Sequence, residues 1–154
     1  MSVDVGSPAP DFTLKNQDRE DVTLSAHRGR PVVLAFFPAA FSSTCTSQLC
    51  TIRDHLGILN EAEAVVFGIS VDTFFALKAF QVDQNLTFPL LSDFNKQVIH
   101  QYGVFNEDMI GLKGIAKRAV FVLDRHGVVR YREVLEDARH EPDYEKVLSV
   151  VEGL

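Results

Sequence analysis

Residues Phe36–Cys50 read F-F-P-A-A-F-S-S-T-C-T-S-Q-L-C, and this stretch decides how the rest of the chain is read. It leaves the apolar run Pro31–Phe37, turns at Pro38 and enters a segment with helical spacing. Both cysteines of the 154-residue chain lie in it. Cys45 falls where a helix begins, directly after the hydroxyl residues Ser42, Ser43 and Thr44. A helix N-terminus presents unpaired N–H groups and a partial positive charge. That field favours a thiolate over a thiol and so points to a reactive cysteine. Cysteine is equally at home as a small core residue, and position alone leaves both readings open.

Working outward, Pro31–Phe37 (P-V-V-L-A-F-F) is apolar throughout, which suits a strand covered on both faces. The helix that follows is expected from about Thr44 to Leu59. Its apolar residues Leu49, Ile52, Leu56 and Leu59 recur at three and four, giving one buried stripe. Cys45 continues the stripe and Cys50 lies off it. Ala64–Val71 is a second apolar strand. Thr73–Asp83 reads as a helix capped by Asp72 or Thr73. Phe88–Leu91 is a short extended piece, and Ser92-Asp93 caps a helix running through Tyr102 to Gly103. Asn106–Lys117, weakly patterned and bearing two glycines, reads as loop. Ala119–Leu123 and Val128–Glu133 flank a short Gly-bearing turn and form a hairpin. Pro142 opens a last helix with Tyr144, Val147, Leu148 and Val151 inward. Upstream, Phe12–Leu14 and Val22–Leu24 form an N-terminal hairpin around a polar turn, and Arg28–Pro31 is a turn. The order predicts an α/β fold with a central mixed sheet flanked by helices. In such sheets reactive groups gather where a strand's carboxyl end meets a helix start, the place taken by residues 38–45.

The bulk properties narrow the class. Hydrophobic residues make up 46% of the chain, enough for a sizeable core, and we expect one domain over 1–154. The formal net charge of −6 argues against a nucleic-acid footprint. No apolar run approaches the roughly 20 residues that span a bilayer, and the start carries no secretory pattern. Two cysteines make no secreted disulfide framework, so a cytoplasmic location is expected. Cys45, Cys50 and His55 invite a metal reading by spacing, but on a helix those offsets do not share a face and a fourth ligand is lacking. No phosphate-binding or dinucleotide glycine motif occurs. Neither metal nor cofactor is expected.

Residues 38–45 spell Pro-x-x-x-Ser-x-x-Cys. Here the chain resembles the peroxiredoxin family, whose active-site loop is Pro-x-x-x-Thr/Ser-x-x-Cys at a helix start. The likeness also covers G-S-P-A-P-D-F-T-L from Gly6, P-V-V-L-A-F-F-P from Pro31, L-S-D-F from Leu91, Y-G-V from Tyr102, and Arg118 just before F-V-L-D-R-H-G. Within the family it is most similar to the bacterioferritin-comigratory (Q-type) and one-cysteine alkyl-hydroperoxide-reductase-E branches. The resemblance implies a thioredoxin-like fold and reduction of hydrogen peroxide and organic hydroperoxides without metal or haem.

Carried over by position, the resemblance makes Cys45 the peroxidatic nucleophile, whose thiolate attacks the O–O bond and becomes a sulfenic acid. Ser42 takes the hydroxyl position, able to accept from the peroxide and donate to the thiolate. Pro38 shields the sulfur, and Arg118 stabilises the thiolate and the developing charge with a fork of fixed donors. Backbone N–H groups near Thr44 and Cys45 supply further donors, and Gln48, one turn after Cys45, contacts the site from behind. Each residue alone has an ordinary reading: a turn proline, a capping or loop serine, a surface arginine. The joint spacing favours the site.

The resemblance further implies that Cys50 resolves the sulfenic acid as an intramolecular disulfide, after which thioredoxin or a small thiol restores both cysteines. Geometry sets a condition. Five residues on an α-helix separate Cα atoms by about 8.6 Å, beyond the ~7 Å that a disulfide tolerates. The bond therefore requires local unwinding, and the reduced form should show two unlinked cysteines on a formed helix. A structural thiol at Cys50, with an external resolving thiol, is the alternative. A general thiol-disulfide oxidoreductase is disfavoured by the lack of C-x-x-C, and a non-enzymatic interaction or chaperone module is the remaining rival. Monomer and homodimer stay equally open.

Overall fold

The computed structural model describes residues 3–154. Its frame is a seven-stranded mixed sheet. In chain order the strands are β1 (Thr13–Asn16), β2 (Asp21–Thr23), β3 (Val32–Phe36), β4 (Val65–Ser70), β5 (Leu90–Ser92), β8 (Arg118–Leu123) and β9 (Val129–Leu135), with β6 (Phe105–Asn106) and β7 (Ile115–Ala116) forming a separate small ladder. The order across the main sheet is β2-β1-β5-β4-β3-β8-β9. β3 runs parallel to β4 and antiparallel to β8, with Phe36 opposite Ala119.

The continuous apolar runs end up where that pattern demands, at the centre of the sheet with both faces covered. In β3 and its extension, Val32, Leu34 and Phe36 pack into one core with Phe121, Tyr102 and Ile99. Val33, Ala35 and Phe37 pack into the other, under the helices α1 (Ser43–Asp54), α2 (Leu56–Glu61), α3 (Phe74–Asp83) and α5 (Tyr144–Glu152). A fifth helix, α4 (Gln97–Gln101), covers the opposite face through Val98 and Ile99. Thr73 caps α3 through its side chain, and Asp143 caps α5.

Three expectations are corrected. The single helix over 44–59 is two. His55 ends α1 with φ −98° and ψ 6°, its N–H shared between Thr51 O and Ile52 O, while its ring Nδ1 lies 2.8 Å from the same Thr51 carbonyl. Gly57, a weak helix former, follows at once. The helix expected from Ser92-Asp93 starts only at Gln97, because Lys96 takes φ 64°. The Asp93 carboxylate still caps it from outside, accepting from Val98 N–H at 3.2 Å and Ile99 N–H at 2.8 Å. The loop over 106–117 contains β7 and closes against Phe105–Asn106.

Candidate active site

β3 delivers the chain to the carboxyl end of the sheet, where Pro38 is buried and the path bends. The bend is tied to the neighbouring strand. Ala40 N–H donates to Asp72 Oδ2 at 2.8 Å, and Ser70 Oγ donates to the same oxygen at 2.7 Å. Phe41 then adopts φ 70°, a strained conformation for a bulky side chain, with its ring 5.1 Å from that of Phe80. Ser42 is the N-cap of α1, yet its hydroxyl makes no capping bond. Its carbonyl instead accepts from Thr46 N–H at 2.9 Å and Thr46 Oγ1 at 2.8 Å. The N–H groups of Ser43, Thr44 and Cys45 therefore lie ahead of the first rung of the helix.

The pairing of Phe36 with Ala119 brings the first residue of β8, Arg118, beside the end of β3 and the start of α1. Arg118 is only 2% exposed. Its Nη1 donates to Cys45 Sγ at 3.3 Å and to Gln48 Oε1 at 2.7 Å. Its Nε and Nη2 both donate to the Ala138 carbonyl, at 3.1 and 2.8 Å. Gln48 is itself fixed by donating to the Phe36 carbonyl at 3.4 Å. A guanidinium taken out of water needs a compensating charge, and none of these oxygens carries one. Tyr144 stays neutral beside it, since burial and a hydrogen bond to Glu141 push its phenol well up. Among the groups that bond to Arg118, Cys45 Sγ is the ionisable one.

Cys45 is fully buried. At the head of α1 a cleft of about 610 Å³ is lined by Ser42, Ser43 and Thr44, by Arg118, and by Met109, Ile110 and residues 136–139. Outside the cleft, the exposed Glu141 accepts from Ser47 Oγ at 3.0 Å and from Tyr144 OH at 2.6 Å. Cys50 stands apart. It is half-buried, also a free thiol, and donates to Gln84 Oε1 at 3.4 Å. The reduced arrangement is therefore the expected one, two unlinked cysteines on an unbroken helix.

Residues 5–132 match the AhpC/TSA family. The chain is 42% identical over 135 residues to alkyl hydroperoxide reductase E of Mycobacterium tuberculosis, covering 86% of each. It is 40% identical over 149 residues to the chloroplastic peroxiredoxin Q of Suaeda salsa, covering 96% of this chain and 68% of the relative. The crystal structure of peroxidoxin BcpB from Mycobacterium tuberculosis superposes with a TM-score of 0.87 at 30% identity, over 99% of this chain and 98% of that one. The chain belongs to the AhpC/TSA family. It is a peroxiredoxin with the thioredoxin-like fold, and its activity is that of a thiol-dependent peroxidase.

In this peroxiredoxin, Ser42, Thr44, Cys45, Gln48 and Arg118 converge where α1 begins beside β8, and Pro38 is buried just past the end of β3. Cys50 does not join them. Two further groups complete the geometry. The sequence marks Asp72 as a possible helix cap, and its carboxylate also holds the loop through Ala40. The carbonyl of Ala138 sets the plane of the Arg118 fork, and a backbone acceptor leaves no mark in a sequence. The described residues include no helix long and apolar enough to cross a membrane.

Proposed function

We propose that Cys45 is the peroxidatic cysteine, reducing hydrogen peroxide and organic hydroperoxides. The observation that supports this is the 3.3 Å contact to Cys45 Sγ from a buried Arg118 that bonds to no carboxylate among the described residues. The thiolate attacks one peroxide oxygen. The O–O bond breaks, Cys45 becomes a sulfenic acid, and the other oxygen leaves as water or alcohol after taking a proton. Arg118 and the N–H groups at the head of α1 stabilise the charge passing from sulfur to the leaving oxygen. The Ser42 hydroxyl, uncommitted to capping, accepts from the peroxide proton. Pro38 restricts water at the sulfur, and Gln48 holds Arg118 in register.

Cys50 then resolves the sulfenic acid: its sulfur bonds to Cys45 Sγ and the hydroxyl departs as water. A thioredoxin-like protein or a small thiol in the cytoplasm reduces the disulfide. A second reading, in which Cys50 is structural and an external thiol resolves, is favoured by the engagement of Cys50 with Gln84 on an intact helix. Stopped-flow oxidation by peroxide, with mass spectrometry of the product, separates the cases. Cys45→Ser should abolish turnover. Cys50→Ser should leave the first oxidation intact and the sulfenic acid unresolved. Turnover in Cys45→Ser would overturn the assignment, and full recycling by thioredoxin in Cys50→Ser would select the second reading.

A further inference from the structure

The thiol of Cys50 does not point toward Cys45. It is tied to the far end of α3, where Gln84 closes that helix. Gln84 is held at three points. Its Oε1 accepts from Cys50 Sγ at 3.4 Å, its Nε2 donates to Asp83 Oδ2 at 2.7 Å, and its backbone carbonyl accepts from Arg53 Nη1 at 2.6 Å. The Asp83 carboxylate takes the amide N–H and so turns the amide oxygen toward the sulfur. Arg53, which also pairs with Asp54, pins the C-terminal half of α1 to the same spot. Nothing in the peroxidase chemistry uses this arrangement.

We propose that Gln84 is a positioning residue, a latch that holds the Cys50 thiol against α3 and sets how fast it closes on oxidised Cys45. The inference rests on the resolving role proposed for Cys50. Disulfide closure needs the Cys50 sulfur to move, because an intact helix keeps the two Cα atoms about 8.6 Å apart, too far for the bond. Before it moves, the S–H···O bond to Gln84 must break. The closing step is Cys45 sulfenic acid plus Cys50 thiol giving the disulfide and water, so the proton that Gln84 holds is the one that leaves with the hydroxyl. Since the Arg53 bond is to the Gln84 backbone, side-chain substitutions release the thiol while leaving that anchor in place.

The test uses Gln84→Leu, which keeps the bulk and removes the acceptor, and the double variant Asp83→Asn/Gln84→Glu, which restores an acceptor with the charge moved by one residue. In a Cys45→Ser background, the infrared S–H stretch of Cys50 should move to higher frequency in Gln84→Leu and return in the double variant. With both cysteines present and one equivalent of peroxide, disulfide closure followed by rapid quench and alkylation should speed up about two- to fivefold in Gln84→Leu, the worth of one weak S–H···O bond, and slow again in the double variant. First oxidation of Cys45 should be unchanged in both. An unmoved S–H band, or closure equally fast in all three proteins, overturns the latch. If the band moves but no disulfide forms in any protein, the resolving role of Cys50 has failed, and the kinetic part of the proposal falls with it.

Discussion

At the scale of single residues, the site turns on one buried cation with neutral oxygen partners and one sulfur. Arg118 could donate equally well to a carboxylate, and a carboxylate would satisfy it without any need for charge on Cys45. Gln48 is therefore as consequential as Arg118, because it fills the carboxylate's place with an uncharged acceptor at 2.7 Å. Gln48→Glu should supply the missing anion, withdraw Arg118 from the sulfur and slow oxidation of Cys45 by about tenfold or more. Gln48→Leu, which removes an acceptor without adding charge, should slow it less. Stopped-flow rates at equal fold stability check the order, and Gln48→Glu reacting at the wild-type rate would show that Arg118 does not act through charge. Arg118→Met should lose about 10²–10³ in the same rate, the usual effect of deleting one preorganised donor to a developing anion. Arg118→Lys should remain well below wild type, because a single ammonium cannot reach both Cys45 and the Ala138 carbonyl from one fixed plane. Of these partners, Cys45, Arg118 and Gln48 were readable from spacing and resemblance. Ala138 was not, since its part is played by a carbonyl that every residue type shares. The φ of 70° at Phe41 was equally hidden, because a large aromatic residue signals no left-handed turn.

At the scale of elements, legibility followed hydrophobic pattern. Strands β3, β4 and β8 are unbroken apolar runs, and all were placed within a residue or two. Boundaries set by a side chain sharing a backbone carbonyl, as at His55, or by a left-handed residue, as at Lys96, leave no such pattern. The turn joining β8 to β9 shows how one side chain can define an element. Asp124 is 7% exposed, and its Oδ1 accepts from His126 N–H at 2.8 Å and Val128 N–H at 3.0 Å. Its Oδ2 pairs with Arg130 Nε at 2.7 Å. Burial works to raise this carboxyl, but the Val128 N–H, the Arg130 guanidinium and the His126 N–H together outweigh it and hold it below the usual value. Asp124→Ala should cost about 2–3 kcal/mol, since three donors lose a charged acceptor. A depressed acid contributes stability that is full above its unfolded value, about 3.9, and is lost as pH falls through the folded value. Urea titrations should therefore find Asp124→Asn well below wild type at pH 7, with the gap closing below about pH 4. A gap that stays constant with pH would mean that the turn depends on the shape of the side chain and not on its charge.

At the scale of the molecule, the two ends of α1 are held very differently, and this asymmetry fixes where the protein opens. The N-terminal end follows a strained Phe41, lacks a side-chain cap and is tied by an exposed Ser47–Glu141 bond and by the bonds of Arg118 to Gln48 and to Cys45, the sulfur that oxidation alters. The C-terminal end is bonded through Arg53 to α3 and buries Ile52 against the sheet. Strand β3 is paired at every position, with β4 on one side and β8 on the other, and the three strands carry both cores. Local opening draws on the least-protected unit, so oxidation should melt the head of α1 and stop before Arg53. Hydrogen exchange after one equivalent of peroxide should show the amides of residues 43–50 losing protection, while those of Val32–Phe36 and Ala119–Leu123 remain as slow as in the reduced protein. The same experiment on Cys50→Ser should show the head of α1 still protected, because a sulfenic acid alone does not require the helix to part. Full protection over 43–50 in a protein shown by mass to carry the Cys45–Cys50 bond would contradict the helix geometry on which the unwinding argument rests. Global loss of protection would mean that α1 is integral to the sheet's stability and cannot cycle independently of it.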